Sequence, residues 1–210
     1  GYTSPTVVSG VVIDNLGGTD ASTNWYEGEW STRRGFPSAV ALYDGRLAWA
    51  GKSKIILSIS DDYESFDPDV EGDSGVISRA LGRGPIDSVN WLFPGNRLVV
   101  GTDGLEASIR SSSFDEPLSP TAFSIKYPST QGSSNVPAAK VDQTCIFVQR
   151  GGSNIYRMIY SEATSYDYTS NEVTTLAPEI TKPSVTRLAV QRQPDTRIHA
   201  VRSDGKVALW

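Results

Sequence analysis

Four carboxylates alternate along one short stretch, Asp67, Asp69, Glu71 and Asp73 in DPDVEGDSG, and Gly72 follows the third. Hard oxygen donors at i, i+2 and i+4 before a glycine suit a calcium loop, in which the chain turns sharply around the ion. Other positions fit poorly. Counted from Asp67, the twelfth is Ser78 where a bidentate Glu is expected, the eighth is Ser74 where an apolar residue usually pins the loop, and Pro68 stiffens the start. The stretch reads first as a solvated acidic loop and second as a Ca²⁺ site. No other cofactor is suggested.

The remaining candidate chemistry is thin. His199, in RIHAV on a predicted strand, is the one histidine, so a His-rich metal centre is excluded. A Ser-His-Asp triad would lack a nucleophile motif, because no Gly-x-Ser-x-Gly occurs. No Gly-x-x-x-x-Gly-Lys phosphate loop is present, and GRGP at Gly82 to Pro85 is too short to cradle a phosphate. Cys145 cannot form an internal disulfide and sits in the apolar run TCIFV, which predicts a buried, inert thiol. Arg33, Arg34, Arg46, Arg79 and Arg83 are available to an anion, but no pattern singles them out. Trp25, Tyr26 and Trp30 in NWYEGEW could stack on a sugar, although packing at the entry to the first sheet is the simpler expectation.

These residues must be held by strands. The 210-residue chain is 38% hydrophobic, which suits a folded globular protein, and its nine Tyr, six Phe and five Trp favour β-structure. Nineteen Gly and twelve Pro are scattered as turn punctuation. The net charge of −5 disfavours sequence-specific DNA binding without forbidding DNA to pass close by. No apolar run approaches the roughly 18 residues of a membrane helix, and no signal segment opens the sequence. The abrupt ends, GYTSPTVVSG and KVALW, predict a piece of a longer chain.

One plan recurs at intervals of roughly fifty residues: strand, tight turn, strand, Gly-containing turn, strand. Its copies are VALYDGRLAWAG from Val40, VNWLFPGNRLVVGT from Val89, KVDQTCIFVQRGG from Lys140 and LAVQRQPDTRIHAVRSDG from Leu188. Asp44-Gly45 and Pro94-Gly95-Asn96 supply residues that tolerate positive φ at the first turn. The first strand of each unit is mostly apolar, which predicts a buried inner strand, and the third alternates more, which predicts an outer one. Such sheets bury their faces only by stacking. The fold expected is all-β, a β-propeller-like array of about four antiparallel three- to four-stranded blades that need not close, with a β-sandwich as the alternative. Residues 1–28 are expected to be an N-terminal strand and loop of a neighbouring module, and 29–210 the propeller-like domain. Helix is expected only as a turn or two within Glu172–Ile180.

SISDDYESF, Ser58 to Phe66, resembles the Asp-box of sialidase-like propellers, with Glu64 in place of its Gly and the aromatic one position early. That box is a folding device. A wider resemblance covers most of the chain. It rests on Gly35-Phe36-Pro37, Asp44-Gly45-Arg46-Leu47, Asp61-Asp62-Tyr63-Glu64-Ser65-Phe66, Phe147-Val148-Gln149-Arg150-Gly151-Gly152 and Ala200-Val201-Arg202-Ser203-Asp204-Gly205. Together these resemble the virion proteins of tailed phages and prophages akin to the tail nozzle (tail tubular) proteins of short-tailed phages. The resemblance implies a structural protein of the phage tail, made in the bacterial host cytoplasm and residing in the virion. It implies other tail subunits as partners, a homo-oligomeric ring in the full-length protein, and non-specific passage of DNA during ejection. It implies no enzyme and no catalytic residues. The competing expectation is a secreted propeller that binds or hydrolyses glycans, betrayed by Arg, Glu and Tyr side chains converging on one pocket.

Overall fold

A computed structural model describes residues 2–4, 7–11, 28–82, 88–113, 116–164 and 167–210. The protein is all-β. Strands β1 (Tyr2–Ser4) and β2 (Val7–Val8) pair with each other, and four larger antiparallel sheets follow in chain order. Sheet I holds β3 (Ala39–Tyr43), β4 (Arg46–Gly51), β5 (Lys54–Leu57) and β6 (Ile77–Ala80). Sheet II holds β7 (Val89–Pro94), β8 (Leu98–Thr102), β9 (Glu106–Arg110) and β10 (Ser124–Ser129). Sheet III holds β11 (Ala139–Val141), β12 (Thr144–Val148), β13 (Ile155–Ser161) and β14 (Asp167–Glu172). Sheet IV has three strands, β15 (Val185–Gln191), β16 (Arg197–Arg202) and β17 (Val207–Leu209). Each is a meander whose strands pair with their neighbours in sequence. Among the described residues, helix is confined to two 3₁₀ turns, Glu162–Thr164 and Thr174–Leu176.

The first hairpin forms as its turn residues dictate. Asp44 and Gly45 adopt φ of 49° and 68°, the pair of positive values that a two-residue turn needs to match strand twist. Gly95 departs from expectation, because its φ is not positive. Space is what requires glycine there: a Cβ would collide with Tyr168 Oη and with the Phe93 ring.

Alternation along each strand sends neighbouring side chains to opposite faces, and the faces stack in chain order. Ala50, Ile55, Leu57 and Ile77 of sheet I meet Leu98, Val100, Ala107 and Ile109 of sheet II in one core. From the other face of sheet II, Trp91, Phe93 and Val99 meet Cys145, Phe147, Met158 and Tyr168 of sheet III. Ile146, Val148 and Ile155, on the far side of sheet III, meet Val185, Ala200 and Ala208 of sheet IV. Sheets II and III are thus covered on both sides, and β8 is buried along its whole length.

Two junctions share a backbone bond at equivalent positions. The Val89 N–H that opens sheet II donates to Lys52 O in the second turn of sheet I (3.0 Å), and the Val185 N–H that opens sheet IV donates to Gly152 O in the second turn of sheet III (2.7 Å).

The inner-to-outer order expected of the strands is corrected. First strands are not the most buried: β3 exposes Val40 and Leu42, and β11 and β15 are also partly exposed. Third strands β5 and β9 are almost wholly buried. In sheets I to III a fourth strand flanks the third, so the third is interior to the sheet and pairs on both edges.

Candidate functional site

The acidic run lies in the connection between β5 and β6, and Asp67, Asp69, Glu71 and Asp73 are all exposed. Asp67 Oδ1 accepts the Asp69 N–H at 2.9 Å, and Asp73 Oδ1 accepts the Thr121 hydroxyl at 2.6 Å. Among the described residues no three His, Cys, Asp or Glu side chains gather into a group able to hold a metal. The cation this loop does hold is Arg46. Its buried guanidinium donates to Ser58 O (2.7 Å), Asp73 O (2.6 Å) and Gly75 O (2.6 Å), with a longer bond to Ser74 O (3.3 Å). Desolvation lowers the Arg46 pKa from its ordinary value, and Asp44 and Asp61 counter that effect. The carbonyls of the loop therefore converge on a guanidinium.

The other candidates are dispersed. His199 on β16 pairs its Nε2 with Gln191 Oε1 at 3.0 Å. Cys145 is fully buried, and burial pushes its thiol pKa well up, with Glu106 adding to the shift. Arg34 pairs with Glu29 at 3.3 Å, and Arg79 donates to Pro120 O at 2.7 Å. Trp30 lies under the Lys54 ammonium, 4.5 Å from the ring centre. Trp25, Tyr26, Arg83 and the Gly84-Pro85 part of the GRGP turn lie outside the described residues.

Sequence reading missed a cleft of about 420 Å³ where the turns of three sheets meet. The β3–β4 turn supplies Tyr43 and Asp44, the β7–β8 turn Asn96 and Arg97, β9 and the loop after it Arg110 and Glu116, and β13 Tyr160. Arg97 is buried and ion-paired to Asp167 at 3.0 Å, while Asp167 Oδ1 also accepts the Ser108 hydroxyl and the Tyr168 N–H, both at 2.8 Å. Asp44 Oδ2 accepts the Leu118 N–H at 2.7 Å. Desolvation, aided by Asp44, raises the Tyr43 hydroxyl pKa to about 12. Arg110 differs from these groups. Its Nε is buried with no hydrogen-bond partner, and it forms no ion pair among the described residues. Part of this was legible: Arg46-Leu47 and Arg97-Leu98 occupy the same place in two repeats, and both arginines are buried cations.

Among the described residues, the two outermost faces of the stack are exposed in part. Register places Val40 opposite Trp49 and Leu42 opposite Leu47 on the side of sheet I turned away from sheet II. Val40 is 50% and Leu42 61% exposed. On the side of sheet IV turned away from sheet III, Val207 pairs with Val201 and Leu209 with His199. Val207 is 58% and Leu209 45% exposed. An apolar cavity of about 390 Å³, lined by Trp30, Trp49, Ile56, Phe66 and Val76, opens beside the free face of sheet I. No helix among the described residues is long and apolar enough to cross a membrane. Compared with known proteins, the chain matches no family model and no curated sequence.

Proposed function

We propose that this chain is a β-propeller-like structural module of a phage tail, akin to the nozzle proteins, and that its work is docking. The observation that carries the reading is the exposed apolar patch on each end face. Each internal sheet buries both faces against its neighbours, yet sheet I and sheet IV present Val40, Leu42, Val207 and Leu209 to solvent. Exposed apolar sheet faces at both ends of an array are sites of association. A propeller is favoured over a sandwich by the stacking of four sheets in chain order. In a two-sheet sandwich each sheet has one inner face, whereas sheets II and III have two. The equivalent bonds of Val89 and Val185 fit a repeated blade junction. A net charge of −5 suits a surface along which DNA slides without being held.

The test is light scattering on the chain across a concentration series. Assembly that rises with concentration and is lost in Leu42→Asp and in Val207→Asp, with the melting temperature kept, is the expected result. A wild-type chain that stays monomeric and is not retained by isolated tail subunits refutes it.

The cleft favours a second reading, a glycan-facing module, because it gathers Arg97, Arg110, Glu116, Tyr43 and Tyr160. Hydrolysis gains no such support. The Tyr43 hydroxyl is shifted up to about 12, away from the activation a tyrosine nucleophile needs, and Arg97 already serves Asp167.

A further inference from the structure

We infer that the cleft binds a carboxylated saccharide, with Arg110 taking the carboxylate and Glu116 accepting from sugar hydroxyls. The inference rests on the glycan-facing reading and is independent of assembly through the end faces.

Four charged side chains line the cleft, and the protein satisfies only two of them. Arg97 is met by Asp167, and Asp44 by the Leu118 amide. Neither Arg110 nor Glu116 has a hydrogen bond or ion pair among the described residues, and the Nε of Arg110 is shut off from water. Arg110 is half-buried, so its unmet need lies at the Nε, and its terminal nitrogens, which carry no protein hydrogen bond among the described residues, can give a ligand carboxylate two parallel N–H···O bonds. Asp44 and Glu116 in the same cleft repel a dianion, which disfavours phosphate. A singly charged carboxylate that also brings hydroxyl donors gives Glu116 something to accept. Tyr43 and Tyr160 line the same cleft with aromatic surface of the kind that packs on the C–H side of a sugar, and Asn96 adds an amide. A volume of about 420 Å³ lies within the usual range for a small-molecule site and accommodates one or two sugar rings.

The test is titration calorimetry of the intact chain with a glucuronate-containing disaccharide, its methyl ester, the neutral glucose disaccharide and inorganic phosphate. The uronate is expected to bind, and esterification, loss of the carboxylate, or Arg110→Gln should each weaken binding about tenfold or more. Glu116→Gln should weaken it severalfold. Comparisons among ligands use the wild-type chain, so they hold even if Arg110→Gln unfolds. Equal affinity for the neutral disaccharide or the ester overturns the inference and leaves the glycan reading standing. Phosphate binding as tightly as the uronate also overturns it. Failure of every saccharide to bind overturns both.

Discussion

Replacing Arg46 with methionine removes a cation that ties one loop to the first sheet. Three of its bonds to carbonyl oxygens are 2.6–2.7 Å long, reaching Ser58, Asp73 and Gly75. Hydrogen bonds to a charged group contribute roughly 1.5–3 kcal/mol each, so three would sum to about 4–9 kcal/mol. Two effects reduce that sum. The acidic loop is exposed, so Asp73 O can turn to water, and methionine recovers part of the burial. The guanidinium also carries a desolvation cost in the folded state that the variant avoids. The expected net loss is about 3–5 kcal/mol, in the range seen when a buried charged group is stripped of its partners. At about 2–4 °C per kcal/mol for a chain of this size, the melting temperature should fall by roughly 6–20 °C. Arg46→Lys keeps the charge but not the planar fork, and should fall between the two. Urea unfolding followed by tryptophan fluorescence reads the difference, since Trp49 lies on the same strand. A stability within about 0.5 kcal/mol of wild type in Arg46→Met would refute the clamp.

Three further outcomes follow from the same structure. Gly45→Val and Gly95→Val should each destabilise by roughly 1–3 kcal/mol, the first through positive φ and the second through collision with Tyr168 and Phe93; Gly95→Ala should therefore be costly while Gly45→Asn is tolerated, as thermal melts would show. Asp167→Asn should cost about 3–5 kcal/mol by leaving Arg97 buried without its counter-charge, whereas adding Arg97→Met to Asp167→Asn should recover part of that loss in a double-mutant cycle, the Asn oxygen still accepting from Ser108 and Tyr168; additive costs would contradict it. Burial raises the Glu106 pKa in the folded state, although Ser133 donates to it at 2.9 Å. The folded chain therefore holds this proton more tightly than the unfolded one, so the stability linked to it is complete below the ordinary carboxylate value and is lost as pH rises through the folded value. Glu106→Gln should gain on wild type between pH 4 and pH 7.5 in urea titrations, and a gap that does not change with pH would refute it.

The strands that repeat were legible because their chemistry is local. Sheets I to IV begin at residues 39, 89, 139 and 185, the spacing read from the paired turns, and Asp44-Gly45 adopts the turn its residue types demand. The fourth strands were not legible as strands. β6 is Ile77–Ala80 with one buried residue, β10 carries Pro128, and β14 reads DYTSNE. An edge strand is hydrogen-bonded on one side only, so it tolerates proline and polar residues and loses the apolar signature. Gly95 is visible in sequence as a turn residue, but its constraint comes from Phe93 and from Tyr168, a residue of sheet III, and no local pattern shows it. The same distance effect hid the cleft. Tyr43, Arg97, Arg110, Glu116 and Tyr160 come together only after three sheets stack, and no local pattern marks them. The alternating carboxylates of the acidic run are visible in sequence as a solvated loop, whereas the arginine that its carbonyls hold is contributed by β4 and no pattern within the run marks it.

Four sheets stack through successive faces, and the two ends of the stack carry the exposed apolar side chains proposed to meet partners. Electron cryomicroscopy of the assembled chain tests this directly. The prediction is sheets I to IV arrayed around a common axis, with Val40 and Leu42 at one end and Val207 and Leu209 at the other, both covered by neighbouring subunits. A map in which these strands form two sheets closed upon each other, with those four side chains still facing solvent in the assembly, would contradict it.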